Sequence, residues 1–241
     1  MRMSYKANKA IIMAAGKGTR MAPITNYTPK PLVKVNGVRM IDTVIDALHQ
    51  NGIEEIYIVV GYLKEKFTEL LEKYPNLCII ENPYYDTCNN ISSLFVARDH
   101  IENAIILDGD QIVYNPEILN PNFEKSGYCC RYAEDETNEW LLTLNENDSV
   151  VHCSPTGGSN GWQLFSVSLW NEHDGKKLKK LLELEFIENK NTDIYWDNIA
   201  LLVHPDLFEL GIRKINKEDI IEIDNYSELI QLDPSYEKEA N

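Results

Sequence analysis

The residues best suited to chemistry cluster near the N-terminus, in Ala14-Ala15-Gly16-Lys17-Gly18-Thr19-Arg20-Met21 and then Pro29-Lys30-Pro31-Leu32. Glycines in such a loop let backbone N–H groups approach phosphate oxygens with no Cβ in the way. Lys17, Arg20 and Lys30 add the positive charge that a triphosphate requires. Spacing excludes two commoner phosphate motifs. The Walker loop needs a glycine, any four residues and then Gly-Lys-Ser/Thr, which Gly16-Lys17-Gly18-Thr19 does not supply. The dinucleotide fingerprint needs a third glycine where Met21 stands. A bare Gly-x-Gly is otherwise a tight β–α turn, so its context must decide.

A second group is acidic. Leu107-Asp108-Gly109-Asp110 ends an apolar run that reads as a strand. In open α/β sheets ligands bind beyond the carboxyl ends of the strands. Two acids beside a small glycine there suit Mg²⁺, which takes hard oxygen ligands together with phosphates and water. Asp-Gly is also a common turn pair, but the strand-end position favours the metal role. A third group mixes aromatics with acids: Asn138-Glu139-Trp140, and Asp193-Ile194-Tyr195-Trp196-Asp197-Asn198. Aromatic faces beside carboxylates suit a quaternary ammonium, which is attracted to ring quadrupoles and offers no hydrogen-bond donors. Partly buried aromatics at the edge of a core give the same pattern. The residues alone leave both readings open.

The elements that must position these groups alternate along the first half of the chain. Lys9 to Ala14 reads as a strand running into the glycine loop. Ile41, Val44, Ile45 and Leu48 form a helical stripe that Gly52 stops. Glu55 to Val60 is a β-branched strand. Leu63, Phe67, Leu70 and Leu71 mark a second helix, Leu77 to Ile80 a strand, Ser92 to Ala97 a helix and Ala104 to Leu107 a strand. Such alternation predicts a parallel sheet covered by helices on both faces. After Asp110 the pattern becomes short strands: Tyr128 to Tyr132, Trp140 to Leu144, Ser149 to Cys153 and Trp162 to Ser168. Asn145-Glu146-Asn147-Asp148 and the loop 155–161 separate them, which predicts an antiparallel addition. Leu178, Leu181 and Leu182 mark a helix, Tyr195 to Leu202 another, Ile220 to Ile223 a strand and Tyr226 to Leu232 a last helix. The fold class expected is α/β, a Rossmann-like three-layer fold with a mostly parallel central sheet. We expect one domain over residues 1–241, with a nucleotide-binding region at about 8–115 and an acceptor region at about 116–232.

The 241 residues suffice for one large α/β domain with its own core. Hydrophobic residues make up 44% and charged residues 25%, the balance of a soluble globular chain. Apolar runs such as 104–107 are too short to span a bilayer, and residues 1–9 do not lead into a signal peptide. We therefore expect no membrane insertion and a cytoplasmic protein. The formal charge of −15, from 23 Lys+Arg against 38 Asp+Glu, argues against a nucleic-acid partner, whose phosphates demand cations. It fits plain solubility or an acidic pocket for a cationic substrate. The five cysteines and five histidines are scattered without zinc-ligand spacing, as in a reduced compartment.

Gly16-x-Gly18-Thr19-Arg20 followed by Pro29-Lys30-Pro31-Leu32 resembles the signature of the sugar-phosphate nucleotidyltransferases. The resemblance implies that residues 14–19 wrap the nucleotide, that Arg20 meets the outer phosphates, and that Lys30 meets the reacting ones. It also implies two metal-binding acids, Asp110 and, from Glu222-Ile223-Asp224-Asn225, Asp224, with Asp108 and Glu222 in support. Val60-Gly61-Tyr62-Leu63-Lys64-Glu65, Thr137-Asn138-Glu139-Trp140, the segment 193–198 and Ile221-Glu222-Ile223-Asp224 are similar to segments of bacterial CTP:phosphocholine cytidylyltransferases, over about residues 9–232. By that resemblance Glu139, Trp140, Asp193, Tyr195, Trp196, Asp197 and Glu222 hold choline. Asn89, Asn90 and Ser93 lie in the stretch implied to stand near the base, although Asn-Asn before Ser-Ser also reads as a helix cap. The implied reaction is Mg²⁺-assisted transfer from CTP to phosphocholine. Rivals are a sugar-1-phosphate nucleotidyltransferase and a non-catalytic nucleotide-binding subunit. Related domains occur fused to a choline kinase, and the polar tail 233–241 would suit a linker. The counterpart of the loop 155–161 is not assigned.

Overall fold

Strand Lys9–Ala14 sends alternate side chains into two separate cores, Ala10, Ile12 and Ala14 into one and Ile11 and Met13 into the other. Only a strand covered on both faces needs apolar residues at every position, which places it at the centre of a parallel sheet. In the computed structural model, which describes residues 4–239, it does lie there, pairing in parallel with Ala104–Asp108 on one side and Glu55–Val60 on the other. Leu77–Glu81 extends the parallel half at the edge. The chain then returns antiparallel through Gly161–Trp170, which pairs with Ala104–Asp108, and Leu141–Leu144 and Val150–Ser154 complete the path of a nine-stranded sheet. Gly127–Ala133 pairs with Gly161–Trp170 and carries Gly211–Lys214 in parallel.

Helix α1, Met40–Gln50, buries Ile41, Val44, Ile45 and Leu48. It ends where Gly52 takes the left-handed φ of 74° that a side chain would resist. The second helix is shorter than the sequence pattern suggests. Leu63 lies outside it with φ 49°, Lys64–Phe67 is a 3₁₀ turn, and α2 covers only Thr68–Lys73. Phe67 and Leu70 are buried while Leu71 is exposed, so the apolar spacing continued past the buried face. Helices α3, Ile91–Val96, and α4, Glu172–Glu183, cover the opposite face.

Two short strands matter beyond their length. Gln111–Val113 pairs antiparallel with Ile220–Glu222, which brings the chain's last strand beside the end of Ala104–Asp108. Helix α5, Tyr226–Leu232, follows at once, capped by the Asn225 side chain on Glu228 N–H. A third core of Met21, Val33, Met40, Ile112, Ile223 and Leu229 lies beneath this junction. The tail expected as a linker is bound to the body. Asp233 accepts from Asn36 N–H at 2.7 Å, and the Tyr236 hydroxyl donates to the Lys34 carbonyl at 2.8 Å. Residues 1–3 and 240–241 lie outside the described residues.

Gly127 has no room for a side chain, because a Cβ there would stand 1.9 Å from the Gly211 carbonyl oxygen. Gly127→Ala must therefore push its strand away from the one that carries Gly211. We expect a loss of about 2–4 kcal/mol, read as a Tm lower by roughly 5–10 °C in a thermal melt.

Candidate active site

The glycine loop leaves the central strand at Ala14 and is anchored by Tyr62 N–H donating to the Ala15 carbonyl at 3.1 Å. Gly18 adopts φ 61°, and a Cβ there would stand 2.9 Å from Lys30 Cβ. The Gly18 carbonyl accepts from the Thr25 hydroxyl at 2.9 Å. The loop is thus folded directly onto the turn that carries Lys30. Thr19–Met21 forms a 3₁₀ turn with Met21 fully buried, which anchors the loop and leaves Arg20 pointing outward. A neighbouring 3₁₀ turn, Lys30–Leu32, presents Lys30. Pro31 in that turn packs against Gly109, where a Cβ would meet Pro31 at 3.2 Å. The strand-end glycine between the two acids is therefore what allows this turn to close over the sheet.

The cations and carboxylates meet here. Lys30 Nζ is 2.6 Å from Asp110 Oδ2 and 3.5 Å from Asp224 Oδ1. Arg20 Nη2 lies 2.7 Å from the same Asp224 oxygen. Asp224 N–H donates to Glu228 Oε2 at 2.6 Å, which fixes Asp224 at the start of α5. Asp110 Oδ1 is buried with no hydrogen-bond partner. Burial works against the charge on Lys30, but Asp110, Glu222 and Asp224 more than offset it and raise its pKa. The acids respond in the opposite sense. Burial and then the charge of Asp110 push Asp108 well above the ordinary carboxylate range. Glu222 has surface open to solvent, yet protein and the charges of Asp110 and Asp224 surround it. It is pushed up to about 8, by burial first.

The residues Ala14, Gly16, Gly18, Thr19, Arg20, Lys30, Asp110 and Asp224 line one cleft, together with Met13 and Pro31. Lys17 does not join them, because it pairs with Asp86 at the rim. Asn89, Asn90 and Ser93 are occupied by structural bonds. Asn89 Nδ2 donates to the Asp193 carbonyl at 3.1 Å, Asn90 Oδ1 accepts from Trp196 N–H at 2.9 Å, and the Ser93 hydroxyl accepts from Asn82 at 3.0 Å. These asparagines tie the start of α3 to the aromatic segment.

Within that segment the aromatics divide. Tyr195 is half-exposed, and its ring stands edge-on to Trp140 at 6.0 Å and 88°. Glu139 and Asp193 are exposed beside them. Trp196 is a correction to the sequence reading, since it is 4% exposed and packs 6.1 Å from Tyr128 and 6.0 Å from Trp170 in the core. Its neighbour Asp197 is enclosed, and burial pushes it up to about 7. The charge of Asp197 adds, after burial and the charges of Asp110 and Glu222, to what raises the Asp108 pKa. The loop 155–161 is bound to the segment just before Trp140. Thr137 and Gly158 exchange backbone hydrogen bonds of 2.8 and 2.9 Å, and a Cβ on Gly157 would stand 1.9 Å from the Thr137 carbonyl.

A glycine loop beside two cations and two carboxylates has the groups that a polyphosphate and its counter-ion require. The sequence profile of the MobA-like NTP transferase domain matches residues 10–153. The chain belongs to the MobA-like NTP transferase family. It is 38% identical to a 2-aminoethylphosphonate cytidylyltransferase of Lancefieldella rimae, over 94% of this chain and 92% of that one. It is 34% identical to a choline-phosphate cytidylyltransferase of Streptococcus pneumoniae, over 93% of this chain and 96% of that one. The solved CTP:phosphocholine cytidylyltransferase of Streptococcus pneumoniae superposes with a TM-score of 0.87 at 32% identity, covering 94% of this chain and 98% of that one. Among the described residues no helix is long and apolar enough to cross a membrane.

Two outcomes follow from this geometry. Gly18→Ala forces a left-handed residue against Lys30, and we expect kcat to fall about tenfold or more while the fold persists, checked by steady-state kinetics beside circular dichroism. Asp197 also predicts a pH dependence. Its folded pKa of about 7 lies above its unfolded value, so the folded protein holds an extra proton between them. The associated stability is fully present below pH 4 and is lost as pH rises through about 7. The Tm of the metal-free protein should fall from pH 5 to pH 8, and Asp197→Asn should flatten that fall by several degrees.

Proposed function

We propose that the chain transfers a cytidylyl group from CTP to the phosphate of phosphocholine, releasing pyrophosphate. The observation that carries this reading is that one chain holds both a cleft with Lys30, Arg20, Asp110 and Asp224 and the Trp140–Tyr195 wall. The full-length likeness to named cytidylyltransferases supports the choice of nucleotide.

The acceptor oxygen is already anionic, so attack in line on the α-phosphorus needs no general base. The protein's task is to orient the two substrates and to offset the charge that develops. The loop 15–19 presents backbone N–H groups to the phosphates. Lys30, kept charged by its carboxylate neighbours, faces the transferred group. Arg20, more exposed, faces the leaving pyrophosphate. The Trp140–Tyr195 wall and the acids Glu139, Asp193 and Glu222 hold the ammonium end of the acceptor, the rings through their quadrupoles.

Mg²⁺ fits the residues present. Asp110 offers a buried, unpartnered oxygen, and Asp224 stands on the other side of Lys30. Among the described residues no group of three or more His, Cys, Asp and Glu surrounds a metal position. Two carboxylates are what an ion needs that completes its shell with phosphate and water. When bound, Mg²⁺ supplies positive charge to the phosphate oxygens of the reacting nucleotide.

A second acceptor belongs in the test, because one relative is named for 2-aminoethylphosphonate. A primary ammonium requires hydrogen-bond acceptors, whereas a quaternary one gains more from rings. Pyrophosphate release with Mg²⁺ should be measured with each of four nucleoside triphosphates against phosphocholine, 2-aminoethylphosphonate and glucose 1-phosphate. Release with CTP and phosphocholine is expected. Release only with another acceptor removes the choline assignment and keeps the chemistry, and silence throughout removes both. Asp110→Asn should lower kcat by about a thousandfold with folding intact. Tyr195→Ala should raise KM for phosphocholine roughly tenfold, as expected for a lost cation–π contact, and leave KM for CTP unchanged.

A further inference from the structure

The segment that carries Asp193, Tyr195 and Asp197 departs from the helical layer through one π-helical turn, Leu184–Glu188, and returns through another, Ile199–Val203. Such turns insert a residue into the helix register and recur where a helix serves a site. Glu185, within the first of these turns, is 2% exposed with both carboxylate oxygens engaged. Oε1 is 2.8 Å from His204 Nε2, and Oε2 accepts from Asn191 Nδ2. The Glu185 carbonyl also accepts from Asn191 N–H at 2.9 Å. One buried residue therefore grips the start of the excursion, at Asn191, and its end, at His204. On the far side Asn89 and Asn90 fasten the same segment to α3.

An apolar residue would fill this space without the cost of burying a charge. A buried carboxylate is tolerated only when its oxygens are satisfied, and it then fixes the geometry of its partners. Burial raises the Glu185 pKa, but hydrogen bonds from Asn189, His204 and Asn191 outweigh it and leave the group below the ordinary glutamate value.

We propose that Glu185 is a positioning residue which, through Asn191 and His204, fixes the 189–198 loop so that Tyr195 stands against Trp140, and so sets the enzyme's affinity for the ammonium end of the acceptor without touching it. The inference rests on the aromatic-wall reading above.

The test uses the full chain. Asn191→Ala removes one arm of the grip at an exposed position and leaves the Glu185–His204 pair in place. Glu185→Ala removes both arms, and Glu185→Gln retains an acceptor for Asn191. With CTP saturating, Asn191→Ala should raise KM for phosphocholine about fivefold to tenfold, the size of one ordinary net hydrogen bond. KM for CTP and kcat should stay at wild-type values. Glu185→Gln should keep most of the acceptor affinity. Hydrogen exchange at the amides of residues 191–197 should quicken in Asn191→Ala, with protection of the central sheet unchanged. A wild-type acceptor KM in Asn191→Ala, or a parallel rise in KM for CTP, overturns the proposal. If wild type does not use phosphocholine, the aromatic-wall reading fails by itself, and exchange then decides the grip. Faster exchange at 191–197 in Asn191→Ala supports it, and unchanged exchange in both Asn191→Ala and Glu185→Ala overturns it.

Discussion

Lys30, almost wholly buried between Asp110 and Asp224, is the interaction around which the rest of this molecule is arranged. A lysine in that position stays charged only because carboxylates offset its lost hydration. Those carboxylates come from chain positions more than a hundred residues apart, and they repel one another. Burial, and after it that repulsion, raises the pKa values of Asp108 and Glu222. The two sets of charges therefore need each other, and the fold must bring both to one point.

The fold does this at strand ends. The parallel pairing of Lys9–Ala14 with Ala104–Asp108 aligns the glycine loop with the acidic loop, and Gly109 N–H donates to the Met13 carbonyl at 3.0 Å. Gly109 allows Pro31 to close over the sheet, and Gly18 allows the loop to lie on Lys30. Pairing of Ile220–Glu222 with Gln111–Val113 then delivers Asp224 to the same cleft. The core of Met21, Met40, Ile112, Ile223 and Leu229 lies under all three pieces. Its burial is what makes the charged layer above it rigid.

Most of the fold could be read from residue order. Lys9–Ala14 and Glu55–Val60 have the bounds that their apolar runs predict, and Tyr226–Leu232 likewise. Elements that draw stability from distant partners were harder to see. Gln111–Val113 and Gly211–Lys214 are too short to show a period and exist because a neighbouring strand pairs with them. The helix expected at 195–202 begins at Asp197 and turns π-helical over Ile199–Val203, while the residues before it are held by Asn89, Asn90 and Asn198.

The sequence by itself determined the chemistry available. A glycine loop with Arg20 and Lys30, acids at a strand end and aromatics among carboxylates are properties of local order, and local order survives any packing. Only the tertiary structure decided which of these groups meet. Lys17 is drawn off to Asp86, and Trp196 is taken into the core while Tyr195 remains outside. Asn89 and Asn90 become fasteners of the aromatic segment. The reason is that adjacent residues share a sequence pattern but leave the backbone in different directions. Which side of a segment is buried is set by partners far away in the chain.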